Sequence, residues 1–231
     1  MFQGLIDTVV DFRRDVLRNI PSILFSEALL DDLSSDPRER AFGEVLVAEQ
    51  KDPENLVPPI ILRPFIYGVG VDDAHKCFPT RFSDGRRFGM WYGSLDLLTT
   101  VYESAYHFRN RLDNMLTDIR EEVVSERRVF RVHVSGILVD LRGKHHKFPH
   151  LLDKRNYSFT HSVGSYLYDK GQSGLLIESA HYQEGINVAA FKPGILSNPR
   201  HLGYLVYRWL PGDSKIRIEK TPGRTWRVIP V

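Results

Sequence analysis

Beyond Glu121-Glu122 the sequence breaks into short apolar runs of strand length, and this limits the fold more than any other feature. Val129 to Val134 alternates in polarity, and Ile137 to Leu141 follows across Ser135-Gly136, the pattern of a hairpin. Leu175-Leu176-Ile177 and Ile186 to Phe191 are continuous enough to be buried strands. Leu205 to Trp209, Ile216 to Ile218 and Trp226 to Val231 predict three closing strands. Between these runs, Phe159 to Tyr168 reads as a helix ended by Asp169-Lys170-Gly171. Upstream, Leu95 to Leu116 predicts a longer helix with Ser94 as its N-cap. The body is therefore expected to be a mixed α+β domain with more strand than helix.

The first fifty residues read differently. Phe2, Leu5, Ile6, Val9, Val16, Leu17 and Ile20 fall at helical spacing, Pro21 interrupts, and a second apolar run covers Ile23 to Leu33. Asp36-Pro37-Arg38-Glu39 has the form of a helix start, with an N-cap, a proline at the first position and a capping-box acid. The pattern predicts a helical N-terminal extension over residues 1–50 and a main domain over residues 51–231. Between them, Ile60 to Phe65 reads as a short strand interrupted by Pro64, Asp72 to Thr80 as loop, and Phe88 to Tyr92 as a brief aromatic strand.

Composition sets the outer bounds. With 231 residues, 42% hydrophobic and 26% charged, the chain is ordinary globular material and long enough to bury a sizeable core. Cys77 is the only cysteine, so no internal disulfide can form and a reducing cytoplasm is the expected location. Asp7 and Asp11 stand where a signal peptide needs an apolar run, and no stretch approaches the ~18 apolar residues of a membrane span. No membrane association is therefore expected, and a net charge of +2 by itself predicts no direct nucleic-acid binding. Residues 1–50 hold five arginines against ten acids, which leaves the rest of the chain net basic. That balance suits a phosphate-bearing small molecule as well as a nucleic acid.

The segment richest in possible chemistry runs from Arg81 to Ser94. Arg81, Arg86 and Arg87 supply guanidinium forks that match phosphate oxygens, glycines permit close backbone approach, and Phe82, Phe88, Trp91 and Tyr92 offer stacking faces. A surface loop whose arginines pair with Asp84 or Asp96 accounts for the composition equally well. Glu103 lies beside the apolar stripe of the predicted helix, where a carboxylate either pairs locally or faces a site. Ser179 ends one predicted strand and Asn187 lies within the next, positions that often serve backbone turns. His145, His146 and His150 lack ligands at a familiar metal spacing, and His181 reads as a hydrogen-bonded surface residue. Lys215 to Lys220 alternates charge with isoleucine, as a strand with one solvated face does.

Taken together, these segments resemble the RES domain, a family named for its arginine, glutamate and serine. The likeness runs from about Leu62 to Phe191. It is carried by Ile61-Leu62-Arg63, by Arg81-Phe82-Ser83 with Tyr92 and Glu103 at successive intervals of eleven, by Ile177-Glu178-Ser179-Ala180 and by Asn187-Val188-Ala189-Ala190-Phe191. The resemblance implies an ADP-ribosyltransferase-like fold and the toxin of a toxin–antitoxin pair. It implies an enzyme that cleaves the nicotinamide–ribose bond of NAD, its substrate, with water or inorganic phosphate as acceptor and no metal. A small helix-turn-helix antitoxin is the implied partner. Carried onto this chain, Arg63 and Arg81 would hold the NAD diphosphate and Tyr92 would stack on nicotinamide or its ribose. Glu103 would stabilise positive charge at the anomeric carbon, Ser179 would orient the nicotinamide or ribose, and Asn187 is a further binding candidate. Arg86 or Arg87 would hold an acceptor phosphate. An ADP-ribosyltransferase acting on a protein or nucleotide is the alternative within the fold. Val101, two residues before Glu103, disfavours the arginine-directed kind, which carries an acid there.

Overall fold

A computed structural model of the protein describes residues 2, 4–22, 58–65, 77, 79–115 and 120–230. Its centre is a strand of 18 residues, β3 (Val123–Asp140), which borders three neighbours. The other strands are β1 (Val9–Pro21), β2 (Trp91–Ser94), β4 (Gly174–Glu178), β5 (Ile186–Ala190), β6 (Leu196–Trp209), β7 (Lys215–Thr221) and β8 (Arg224–Pro230). Pairing runs in a closed circuit through β1, β2, β5, β4 and β3 and back to β1, and β6, β7 and β8 extend the sheet from β3. The described α-helices are α1 (Pro59–Leu62), α2 (Leu97–Met115) and α3 (Ser158–Asp169), and four short 3-10 turns complete the described elements. The result is a mixed α+β fold with one large sheet and few helices, as expected. No helix among the described residues is long and apolar enough to cross a membrane.

The helical reading of the N-terminus is corrected. Residues 9–21 form a strand that pairs antiparallel with β3 from Val9↔Val139 to Pro21↔Arg127. Phe12 and Val16 are its two buried apolar anchors. Their spacing of four residues satisfies both the helical and the strand period, so local pattern cannot separate them. The long partner strand decides. The other expected helices of residues 1–50, and the domain boundary at residue 50, lie outside the described residues.

Three more expectations change. Val129 to Leu141 is not a hairpin, because Ser135 and Gly136 continue β3 opposite Arg13 and Phe12. Gly136 is there for space: a Cβ would meet Ile195 Cγ2 at 3.0 Å. Ile60 to Phe65 is no strand but a helical turn followed by a 3-10 turn, Arg63–Phe65. Pro59 presets the first helical position, and the Pro58 carbonyl accepts from the amides of Ile61 and Leu62. Finally, Asp96 caps α2, accepting from the Thr99 amide at 2.8 Å, while Ser94 turns inward.

The core has three parts. Leu5, Phe82, Leu151, Val163 and Leu167 pack α3 and the neighbouring turns onto β4 and β5. Val16, Trp91, Val132, Leu138 and Val188 fill the interior of the strand circuit. Val101, Ala105, Phe108 and Leu112, one stripe of α2, pack against Leu205, Tyr207 and Ile218 of β6 and β7. That packing turns the opposite stripe of α2 toward the site.

Candidate active site

The polar stripe of α2 (Thr100, Glu103, Ser104, His107, Asn110 and Arg111) lines a cavity of about 650 Å³. Facing it are Arg18 and Asn19 of β1, Tyr92 of β2, Arg81 from the loop before β2, and Arg127 of β3. Four arginines thus share the cavity with one carboxylate, Glu103.

Glu103 is fixed by Ser179, the residue after β4, and by Asn187 of β5. The Ser179 hydroxyl donates to Glu103 Oε1 at 2.6 Å, and the Asn187 amide donates to the same oxygen at 2.7 Å. Oε2 takes no hydrogen bond among the described residues; its nearest cationic candidate, His181 Nε2, stands 3.9 Å away. Ser179 does double duty, since its hydroxyl oxygen also accepts from the amides of His181 and Tyr182. Asn187 is fully buried and its carbonyl oxygen accepts from the Ser94 hydroxyl at 2.6 Å. Ser94 and Asn187 are opposite one another in the β2–β5 register, so strand pairing sets the geometry of the carboxylate. Burial, with the Glu103 carboxylate next, pushes the Tyr92 phenol far above its ordinary range, so it is a neutral hydroxyl.

Among the described residues, Arg18 and Arg81 are held without acids. Arg81 donates to the carbonyls of Leu151 and Asp153 and lies 4.8 Å over the Tyr157 ring, leaving Nη2 buried with no partner among the described residues. Arg18 donates to the Tyr92 carbonyl at 2.7 Å and lies over Trp91, and its Nε is buried and unpartnered in the same sense. Burial pushes Arg18 down to about 10, which still leaves it charged at neutral pH. Guanidinium donors left unsatisfied in a concave site are what a phosphate-bearing ligand requires. The chemistry of the donor set therefore fits a phosphate-bearing ligand.

The sequence candidates sort clearly. Glu103, Ser179, Asn187, Tyr92 and Arg81 converge on one region. Arg63 lies exposed in its 3-10 turn and is not among the residues lining this cavity. Arg87 pairs with Asp169 at 2.6 Å on the outside, and neither it nor Arg86 lines the cavity. Arg18, Asn19, Arg127 and Arg111 were missed. A strand reading of residues 9–21 was the available signal, because it sets Arg18 and Asn19 near one end of a pairing partner. His181 is no surface residue: its side chain is 5% exposed and its ring stacks on Tyr106. Burial first, then Arg81, push its pKa down to about 3, so the imidazole beside Glu103 is neutral. No cluster of His, Cys, Asp and Glu among the described residues could hold a metal ion.

Comparison with known proteins adds the following. No curated protein matches the chain in sequence. A chain of the M. tuberculosis MbcT-MbcA toxin-antitoxin complex is similar in structure over 84% of this chain and 86% of that one, at 12% identity and a TM-score of 0.47. The sequence profile of the RES domain matches residues 63–210, which contain Arg81, Tyr92, Glu103, Ser179 and Asn187. With well over half of its length matched in this way, the chain belongs to the RES domain family.

Proposed function

We propose that this chain is the toxin of a toxin–antitoxin pair and that it breaks the nicotinamide–ribose bond of NAD. One observation carries the reading: the single carboxylate among the described lining residues, clamped on one oxygen by Ser179 and Asn187, shares its cavity with three guanidinium groups that each keep an unpartnered buried nitrogen. Arg18 and Arg81 bind the diphosphate, and Tyr92 packs on the nicotinamide ribose. The bond from the anomeric carbon to the pyridinium nitrogen breaks, its electron pair returns to the ring, and neutral nicotinamide leaves without a general acid. The positive charge left on the ribose develops beside Glu103, as in other oxocarbenium-like cleavages. Because its donors are fixed before the reaction, Glu103 needs no reorganisation as that charge appears. An oxygen of water or inorganic phosphate then attacks the anomeric carbon, giving ADP-ribose or its phosphate ester. In this reading the fold is ADP-ribosyltransferase-like and a small helix-turn-helix antitoxin covers the cavity.

The test is to incubate the purified chain with NAD, with and without inorganic phosphate, and to follow nicotinamide. Release that requires phosphate identifies a phosphorylase, and release without it a hydrolase. A folded, partner-free protein that releases none overturns the reading in favour of a transferase awaiting its acceptor.

A further inference from the structure

The NAD reading leaves a buried cavity arginine without a task. Arg127 is 3% exposed, and Asn19 holds it: Nε donates to Asn19 Oδ1 at 2.7 Å and Nη2 to the Asn19 carbonyl at 3.2 Å. Its guanidinium carbon lies 5.1 Å over the Tyr207 ring. Nη1 is buried with no hydrogen-bond partner among the described residues, although the residue lines the cavity. Among the described residues Glu103 is the only acid in the lining, one negative charge against four arginines, and it makes no ion pair with Arg127.

A buried cation normally has a counter-ion, and one supported by an amide, a carbonyl and an aromatic face lacks its anion. Burial pushes Arg127 down to about 10, so it is charged at neutral pH. Arg111, exposed at the far end of the α2 stripe, adds a second positive charge to the same cavity.

In the NAD reading the diphosphate is assigned to other arginines. Arg18 and Arg81 are braced around Tyr92 and the 149–152 turn and supply two guanidinium groups for two phosphates. Arg127 is held instead by Asn19, the residue after Arg18 on β1, with Tyr207 of β6 behind it. Among the described lining residues, four arginines and one carboxylate leave more positive charge than the two phosphates of NAD carry.

We propose that Arg127, oriented by Asn19 and flanked by Arg111, forms a second phosphoryl subsite in this cavity, beside that for the dinucleotide diphosphate. The proposal rests on the NAD reading. Its ligand chemistry is a dianionic phosphoryl group, which a 2′-phosphate on the dinucleotide or free inorganic phosphate would both present. The role that the sequence suggested for Arg86 or Arg87 passes to Arg127.

Calorimetry on the full chain separates the two sources. ADP-ribose and ADP-ribose 2′-phosphate are titrated into the protein, and inorganic phosphate is titrated into protein saturated with ADP-ribose. Tighter binding of the 2′-phosphate compound, by tenfold or more, assigns the subsite to the dinucleotide. Phosphate binding on top of ADP-ribose assigns it to the free anion. In either case Arg127→Gln brings the gain, taken as a ratio of affinities within one variant, below twofold. Since Arg127 also ties β1 to β3, Arg111→Gln is the second variant, with the gain reduced several-fold. A wild-type chain that binds ADP-ribose yet gains nothing from either phosphate overturns the subsite. So does a gain that survives both substitutions. If ADP-ribose does not bind, the NAD reading fails, and inorganic phosphate titrated into the free chain decides the subsite alone. Binding lost in Arg127→Gln supports it, and absent or unaltered binding overturns it.

Discussion

Asn187 holds Glu103 through its amide nitrogen and receives Ser94 on its carbonyl oxygen, so one fully buried side chain is fixed at both ends. Turning the amide over would set its oxygen against the carboxylate, so the observed orientation is the one the network permits. Asn187→Ala strands the Ser94 hydroxyl and removes one donor from Glu103. We expect a loss of about 1–3 kcal/mol of stability, the usual result of leaving buried polar groups unpaired. Chemical denaturation of the two proteins checks it, and coincident midpoints would contradict the network.

Glu103→Gln keeps an oxygen able to accept from Ser179 and Asn187 but removes the negative charge. Nicotinamide release should fall by roughly 10²–10³-fold with the fold intact, the scale on which preorganised electrostatic groups act. Full turnover by this variant would remove Glu103 from the mechanism.

Arg18→Gln should raise the KM for NAD by about tenfold, the effect of losing one charge-assisted bond to phosphate. Arg63→Gln should raise it less, because Arg63 is outside the cavity. Initial rates across NAD concentrations give the comparison, and the reverse order would return Arg63 to the site.

Gly164 of α3 lies so close to the loop bearing Arg81 that an added Cβ would stand 1.8 Å from the Phe82 carbonyl oxygen. Neither backbone can yield without moving the other. Gly164→Ala is expected to cost about 1–3 kcal/mol, as overpacking does, and to weaken NAD binding through the displaced Arg81. Thermal unfolding and KM together test this, and a variant normal in both would show that the contact is slack.

Acid should expose the neutral state of His181. Its folded pKa of about 3 lies below the ordinary value of 6.5, so as pH falls the unfolded chain takes up the proton first. The stabilisation is complete above about pH 6.5 and is lost progressively toward pH 3. Asp7, Asp140 and Asp153 are held low by hydrogen bonds and add losses at the acid end. His181→Gln should therefore show a shallower fall in Tm between about pH 6.5 and 4.5 than the parent. Parallel curves would mean that the imidazole titrates normally.

Elements that pack by one clear period were legible in the sequence. α2, α3, β4 and β5 sit close to where apolar spacing set them, and Glu103, Ser179 and Asn187 could be picked out on those elements. β1 was not legible, because Phe12 and Val16 suit either period and the deciding partner is a distant strand. Arg18 and Arg127 were lost with it. Both are ordinary polar residues of their strands until pairing brings Asn19 within reach of the Arg127 guanidinium. His181 was misread for a related reason: only the stack on Tyr106 shows that it is buried.

The pairing of the first strand with the third also orders events during synthesis. Val9 waits for Val139, and Pro21 for Arg127, before β1 has an edge along which to dock. Arg18 enters the cavity only by that docking, and Ser179 and Asn187 come later still along the chain. A nascent chain on the ribosome therefore lacks two walls of the cavity until most of it has been translated. Whatever this cavity does therefore begins only when the chain is nearly whole.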